Sequence, residues 1–520
     1  MTEGTITGSR TGAGLGGFGR LLHAEWTKFR TVRGWVIGML VAALLTVLIG
    51  LLAGAGRMGS CNVAACTLPV GPGGQPVSDS FYFVRQSLAG NGSITVRVTS
   101  LTGLIPSMGT GQGGQGAQQA ARPGVAPWAK AGLIMTESTR QGSAYAALMV
   151  TGSHGVGMQY NYTHDIAGRP GVVSAAAPRW LRLTRSGDTI TGTESADGIH
   201  WAEVGTAHLA GLPSTVRAGL FATSPQYAQV TGAGATGGPT QATAALDHVS
   251  LRGTWPGSAW TGEEIGGSAN VPARQRGGFH RAGGAFTVTG SGDIAPAVAG
   301  AAGLGTTITQ TLIGTFAGLI TVIVIGTMFI TAEYRRRLIR TTLAASPRRG
   351  QVLAAKAIVI GAVTFVAGLA SAAIVVTLGQ RILRGNGVYV FPVPALTELR
   401  VVAGTAALLA VGAVLALAIG AAVRRSAVAV TAVIVVIVLP YLIAVYNVLP
   451  AGPSQWLLRI APAAAFAVQQ SVPQYPQVSN VYTPPFGYYP LAPWTGFAVL
   501  CAWAALALGL AVVLLRRRDA

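Results

Sequence analysis

Six long apolar stretches that hold no carboxylate leave this chain few ways to fold except across a lipid bilayer. They run over Trp35–Ala53, Thr306–Thr331, Leu353–Leu378, Val401–Val423, Ala427–Val448 and Trp494–Leu515. Each has about 20 residues or more, which at ~1.5 Å per residue crosses a hydrocarbon core of ~30 Å. All 16 acidic residues lie outside these stretches, the nearest being Glu333, Glu398 and Asp519. Carriers driven by protons or ions usually need a titratable group at membrane depth. With no acidic one available, the energy for any transport is expected to come from elsewhere.

Half of the residues are hydrophobic, 10% are charged and the mean hydropathy is +0.50, which excludes a soluble globular class. The chain carries 33 arginines and three lysines for a net charge of +20, and basic residues cluster at the ends of the apolar stretches. Aromatic residues do not alternate with these clusters, so a nucleic-acid platform is excluded and the bilayer is the expected partner. The distribution also sets orientation. Arg20, Lys28, Arg30 and Arg33 precede the first stretch. Arg335, Arg336, Arg337, Arg340, Arg348, Arg349 and Lys356 fall between the second and third, Arg424 and Arg425 between the fourth and fifth, and Arg516–Arg518 at the end. The alternate short loops hold Arg381, Arg384, Arg400 and Arg459. A multi-pass plasma-membrane protein is expected, with both termini cytoplasmic and residues 55–303 extracytoplasmic. Ala53-Gly54-Ala55 would suit a signal-peptide cleavage site, but 34 residues precede the apolar run, so an uncleaved span is expected. Cys61 and Cys66 flank a short loop on the exported side, where a disulfide can persist. Bonded and free states both remain open. Cys501 reads as a packing residue.

Between the first two spans the character of the sequence changes. Gly/Pro-rich linkers bracket runs in which apolar and polar residues alternate, as in Ser93–Val98, Ala144–Val150 and Trp180–Arg185. Period two with turn signals between runs predicts an antiparallel β-sandwich, with Asp197-Gly198 in a hairpin turn. The segments Asp79–Val84, Pro127–Ile134, Pro178–Asp188 and Ser195–Trp201 resemble the concanavalin-like jelly roll of laminin-G-type and lectin-like domains. That resemblance covers 78–253. Phe286–Ile294 looks like the strand that opens such a domain, yet it follows the domain here, either as a permuted strand or as a remnant edge strand. The expected order is a cytoplasmic segment 1–34, span 35–54, linker 55–77, sandwich 78–253, linker 254–303, span 304–332, cytoplasmic loop 333–352, and four further spans within 353–515. Loops 379–400 and 449–493 lie outside, and 516–520 is a cytoplasmic tail. Trp128, Trp180 and Trp201 are expected in the sandwich core.

The loop after the second span runs Thr331-Ala332-Glu333-Tyr334-Arg335-Arg336-Arg337-Leu338-Ile339-Arg340 and closes with Pro347-Arg348-Arg349-Gly350. On a helix, Leu338, Ile339, Thr342 and Leu343 share one face and Arg336, Arg337 and Arg340 lie toward the other. A bare lipid anchor needs charge but neither the Glu-Tyr entry nor the Pro stop. This loop resembles the coupling segment of integral-membrane ABC transporter subunits of the type-two exporter class. In that class the loop docks on a separate ATPase. His23–Arg33 likewise resembles the family's N-terminal interfacial helix, with Glu25, Trp26, Lys28, Phe29 and Arg30 as the corresponding residues. Leu22, Trp26 and Phe29 form a stripe expected to face the membrane, with the cations outside it. Ser454–Ser471, broken by Pro462, resembles the class's re-entrant exterior helices, and Pro440 is expected to kink the fifth span. The resemblance implies an ABC ATPase partner, a second permease copy or paralogue, and a coupling role for Glu333, Tyr334, Arg335, Arg336, Arg337, Arg340, Pro347, Arg348 and Arg349. Glu333 is expected to pair with Arg336, Arg337 or Arg340.

The fold class expected overall is a multi-domain membrane protein, a six-helix transmembrane domain with an inserted extracytoplasmic jelly roll. None of Lys28, Lys130 or Lys356 follows a glycine, so no P-loop exists and ATP and Mg²⁺ are expected on the partner ATPase. No zinc-protease or hydrolase-elbow motif occurs, the seven histidines lack paired-ligand spacing, and no catalytic or metal site is expected. His164-Asp165 reads as a solvated loop. The alternative reading is a tethered glycan- or wall-binding protein, or a sensor, with the sandwich taking a glycan or envelope ligand.

Overall fold

The structure, a computed structural model, describes residues 13–57, 67–107, 121–231, 234–267, 276–300, 305–335, 349–446 and 448–517. Cys61 and Cys66, and with them the disulfide left open above, lie outside the described residues. Helix α1 (Ala13–Thr31) leads, and an extended Val32 turns the chain into α2 (Arg33–Ala55). Further along come α3 (Ile308–Arg335), α4 (Arg349–Gly385), α5 (Ala395–Val423) and α6 (Ser426–Val445). A short helix α7 (Ala451–Ile460) and the last long helix α8 (Pro493–Arg517) follow among the described residues. Six of these, α2–α6 and α8, are long and apolar enough to cross a bilayer, and they coincide with the six expected stretches.

Helix α5 is the axis of the bundle. Two-thirds of its most apolar window (67%) is enclosed by protein, against 22% for α2 and α8, whose outer faces present Leu40, Leu44, Leu506 and Leu510. Lipid tails are as apolar as leucine, so helix association here rests on close packing of small residues. A Cβ on Gly314 would stand 2.1 Å from the Thr46 carbonyl oxygen, and one on Gly318 2.1 Å from the Thr46 hydroxyl, so α2 and α3 meet backbone to backbone. Pro440 withdraws a backbone donor from α6, and the turn before it, Ile434–Val438, widens into a π-helix that absorbs the defect. Beyond α7 the chain dips back as a 3-10 helix, Pro462–Gln469, every residue of which is buried. Non-helical backbone at that depth must be satisfied by protein. Gln469 supplies part of this, its amide donating to Thr315 and Thr405 while Thr309 donates to its carbonyl oxygen.

The inserted domain is built on one 26-residue strand, Phe81–Pro106, that bends at Gly90, where φ is +66°. Before the bend it pairs with Thr215–Thr223 and Thr261–Ile265, and beyond it with Arg179–Ser186 and Gln241–Thr254. The resulting 14-stranded antiparallel sheet folds over a core that includes Leu88, Ile94, Val96, Leu148, Leu181 and Leu220.

Two expectations change. Residue 253 does not close the domain, because strand Ala285–Gly290 lies against Gln241–Thr254 in register Ala242↔Gly290 to Leu246↔Phe286, with Gly278–Ala282 on its other side. Phe286 and Val288 are buried, so this strand is neither an edge remnant nor part of a linker. The tryptophans also leave the core. Leu181 and Leu183 point inward, so strand alternation turns Trp180 and Arg182 outward. Trp201 stacks under the Arg182 guanidinium at 3.8 Å, Arg97 stands 5.6 Å from the Trp180 ring, and Trp128 stacks on His154 at 3.8 Å.

The chain enters and leaves the domain side by side. Val77–Asp79 and Ile294–Pro296 form a two-stranded antiparallel stem, and Lys130 inside the sandwich binds Asp293 at 2.6 Å. Above the bundle the stem meets the segment between α7 and α8. Asn480 and Tyr488 both donate to the Ala299 carbonyl oxygen, and Gln477 reaches Thr163. This is the sandwich end of the bundle. The opposite end carries α1 and Arg335, Arg349, Arg424 and Arg516.

Candidate functional site

At that arginine end, three helices bring together four charges that the sequence holds far apart. The turn at Val32 folds α1 back against the start of α4, and Phe29 packs edge-on to Phe329 at 6.1 Å. One turn earlier on the same side of α1 is Glu25, fully buried. Its Oε2 accepts from Lys356 Nζ of α4 at 2.7 Å, and its Oε1 from Lys28 Nζ at 2.9 Å. Glu333, near the end of α3, accepts on Oε1 from Lys356 at 2.7 Å and from Lys28 at 3.3 Å. Lys356 is itself fully buried, with its ammonium 5.0 Å from the Phe329 ring.

Two carboxylates and two ammoniums therefore alternate in a closed set with no net charge. Alone, a buried lysine would carry a desolvation penalty of several kcal/mol. Here each ammonium touches both carboxylates, which offsets much of it. Burial by itself would push the Lys28 ammonium down, but the hydrogen bond to Glu25 and the charge of Glu333 hold it above its ordinary value. One acceptor stays free, since Glu333 Oε2 is buried without a hydrogen-bond partner among the described residues. Next to it, the Arg424 guanidinium stands 5.3 Å from the Tyr334 ring, and Arg349 donates to the Leu515 carbonyl oxygen in the last turn of α8.

Of the residues expected in the coupling loop, Glu333, Tyr334, Arg335 and Arg349 are placed, at the two helix ends that bracket 336–348. Arg336, Arg337, Arg340, Pro347 and Arg348 lie outside the described residues. Glu333 turns into the bundle and accepts from Lys356 and Lys28, while the three arginines expected to pair with it are among the residues outside the described ones. In the N-terminal helix, Phe29 is buried and Leu22 packs against the same hydrophobic cluster, while Trp26 is exposed and stacks on Phe29 at 6.4 Å. The expected stripe is thus split, with Phe29 on protein, Arg30 exposed and Glu25 turned inward. Lys356 was missed as a site residue, although it is the one charged residue inside any of the six expected stretches. That oddity was the signal.

Among the described residues no group of three His, Cys, Asp or Glu could hold a metal ion. His164 lies on an exposed strand, stacked on Tyr160, and Asp165 accepts from Gln159. The site has no nucleophile–base pair. Its chemistry is mechanical, a neutral charged knot joining α1, α3 and α4.

A family model described as "ABC-2 family transporter protein" matches residues 148–520. No curated protein matches the chain. Among solved structures, a functionally unknown protein from Saccharomyces cerevisiae is 15% identical, with a TM-score of 0.20, over 35% of this chain and 77% of its own. Scytalido-glutamic peptidase is 9% identical, with a TM-score of 0.26, over 41% and 98%. The GH43 protein BlXynB from Bacillus licheniformis is 16% identical, with a TM-score of 0.17, over 25% and 24%. All three scores are too low to define a shared fold.

Proposed function

The chain belongs to the ABC-2 family of transporter proteins, and from that premise we propose that it is the membrane-spanning permease subunit of an ATP-driven exporter. ATP and Mg²⁺ bind a separate ATPase subunit, which docks on α1 and on residues 333–350. The arginine end is cytoplasmic by the positive-inside rule, and the sandwich is extracytoplasmic in the plasma membrane. Two permease chains, either two copies or this chain and a paralogue, enclose the path. Six helices surround little space, and the apolar outer faces of α2 and α8 leave room for a partner.

The observation that carries this reading is the charged set Glu25–Lys356–Glu333–Lys28, enclosed by protein except at Lys28. It joins the N-terminal helix to both helices that bracket the docking loop. Displacement of the loop is then passed to α3 and α4 together, because separating them strands charges in a low-dielectric interior. Nucleotide favours one arrangement of the paired ATPases over the other, and the junction converts that preference into a movement of the bundle.

The test is Glu333→Gln in the full chain, coexpressed with the ATPase. The amide keeps the size of the side chain and removes its charge. We expect normal membrane insertion with a transport-linked ATPase rate lowered roughly ten-fold, equivalent to ~1.4 kcal/mol of coupling. Lys356→Met strands two carboxylates and should lower thermal stability more than Glu333→Gln does, by ~3–5 kcal/mol. Normal transport and normal ATPase copurification in Glu333→Gln and in Arg349→Gln would refute the coupling role.

A further inference from the structure

From Arg425 to Arg516 the sequence carries a single charged residue between them, Arg459. It lies in the last turn of α7 at the sandwich end. Its Nε is buried without a hydrogen-bond partner, and no ion pair among the described residues includes it. A guanidinium stays protonated at any accessible pH, so a half-buried one without a counter-ion is an uncompensated charge. What it does touch is aromatic, the Trp456 ring at 5.2 Å.

Each side of α7 lines a different hollow. Ser454, Gln455 and Arg459 face a cavity of ≈ 750 Å³ whose far wall includes Gln470, Gln474 and Tyr482. Pro453, Leu457 and Ile460 face a groove of ≈ 510 Å³ completed by Val436 of α6 and Trp503 of α8. Trp456 and Ile460 stand 60% and 61% exposed on that groove, an exposure that suits a hydrocarbon neighbour. Leu449 borders both hollows, so the arginine and the groove lie within one helix width of each other.

We propose that the two hollows form one site for a single-chain acyl lipid with an anionic head group. The head binds Arg459 and the glutamine amides, and the tail lies along Trp456 and Trp503. A charged head pairs with the guanidinium through charge-assisted hydrogen bonds, the strongest kind open to it. A second copy meeting the groove symmetrically would bring its own α6–α8, which carries no carboxylate and leaves Arg459 unpaired. As the class of cargo handled at this end, the assignment rests on the permease reading above.

The test uses the delipidated full chain in detergent, titrated with palmitoyl-lysophosphatidylglycerol or palmitoyl-lysophosphatidylcholine and read by native mass spectrometry. Half-occupancy is expected at a roughly ten-fold lower concentration of the anionic lipid. Arg459→Gln should abolish that preference, Arg459→Lys should keep most of it, and Leu457→Asn should weaken both lipids alike. Equal occupancy by the two lipids, or an undiminished preference in Arg459→Gln, would overturn the proposal. So would glycerol 3-phosphate competing as well as the whole lipid, or disulfide cross-linking of two copies through Leu457→Cys in membranes. Loss of lipid preference with the ATPase still bound removes this site alone. Loss of ATPase copurification with the preference intact removes the permease reading but not the site.

Discussion

Asp79 is nearly enclosed in the stem, and burial lifts its carboxyl to about 6, although the Tyr162 hydroxyl and the Gly142 amide donate to it and pull the other way. Unfolded, the same group titrates near ~3.9. Between those values the folded form holds a proton that the unfolded form has lost. Stability from this group is therefore fully present below about pH 4 and declines as pH rises to about 6. Above that, the ionised carboxylate costs the fold up to ~3 kcal/mol. Asp79→Asn keeps an oxygen for both donors. It should flatten the pH dependence of urea unfolding between pH 4 and 6 and raise stability at pH 7.5 by ~1–3 kcal/mol. A variant with the wild-type slope would contradict this account. Residues of this kind were poorly legible in the sequence. Glu25 and Lys356 are 331 positions apart, and no spacing rule pairs them. The tryptophans were misplaced in the core, although for Trp180 alternation through Leu181 and Leu183 carried the signal that it turns outward with Arg182.

Whole elements were easier to read, because hydrocarbon forces a helix to satisfy its own backbone and so to declare itself as a long apolar run. All six long helices fall where those runs lie, and Pro440, expected to kink the fifth span, follows a π-helical turn. Which helix faces sit against which is not written in composition, since a transmembrane helix is apolar on every side. Small residues give the only hint. The crossing of α2 and α3 tests it. Gly314→Val would drive a side chain into the Thr46 carbonyl, and relief requires the helices to separate. We expect a loss of ~2 kcal/mol or more, seen as a lower midpoint in heated size-exclusion profiles. Gly509→Val, at a position where a Cβ meets nothing within 4 Å, should leave the profile unchanged. Equal profiles for the two variants would remove the tight crossing from the description.

At the scale of the whole molecule, the sandwich is an insertion whose last strands come after a Gly-rich stretch, and that interruption hid its boundary. The piece expected from sequence, 78–253, lacks Ala285–Gly290 and strands Lys130 without Asp293. We expect it to stay unfolded, while residues 67–300 give a cooperative β-sheet transition by circular dichroism. Folding of 78–253 alone would show that the late strand is dispensable. The stem decides what the sandwich can feel. Its three residue pairs begin at Val77↔Pro296, the end nearest α2 and α3, and finish at Asp79↔Ile294. Pulling the two helices apart loads that first pair alone, then the next, so the stem opens like a zipper under small force. Only a pull that draws the two strands in opposite directions along their length would load all three pairs at once. Lateral spreading that reaches the stem is thus met by a soft joint that opens stepwise, while a tug that draws both strands the same way leaves the pairs unloaded.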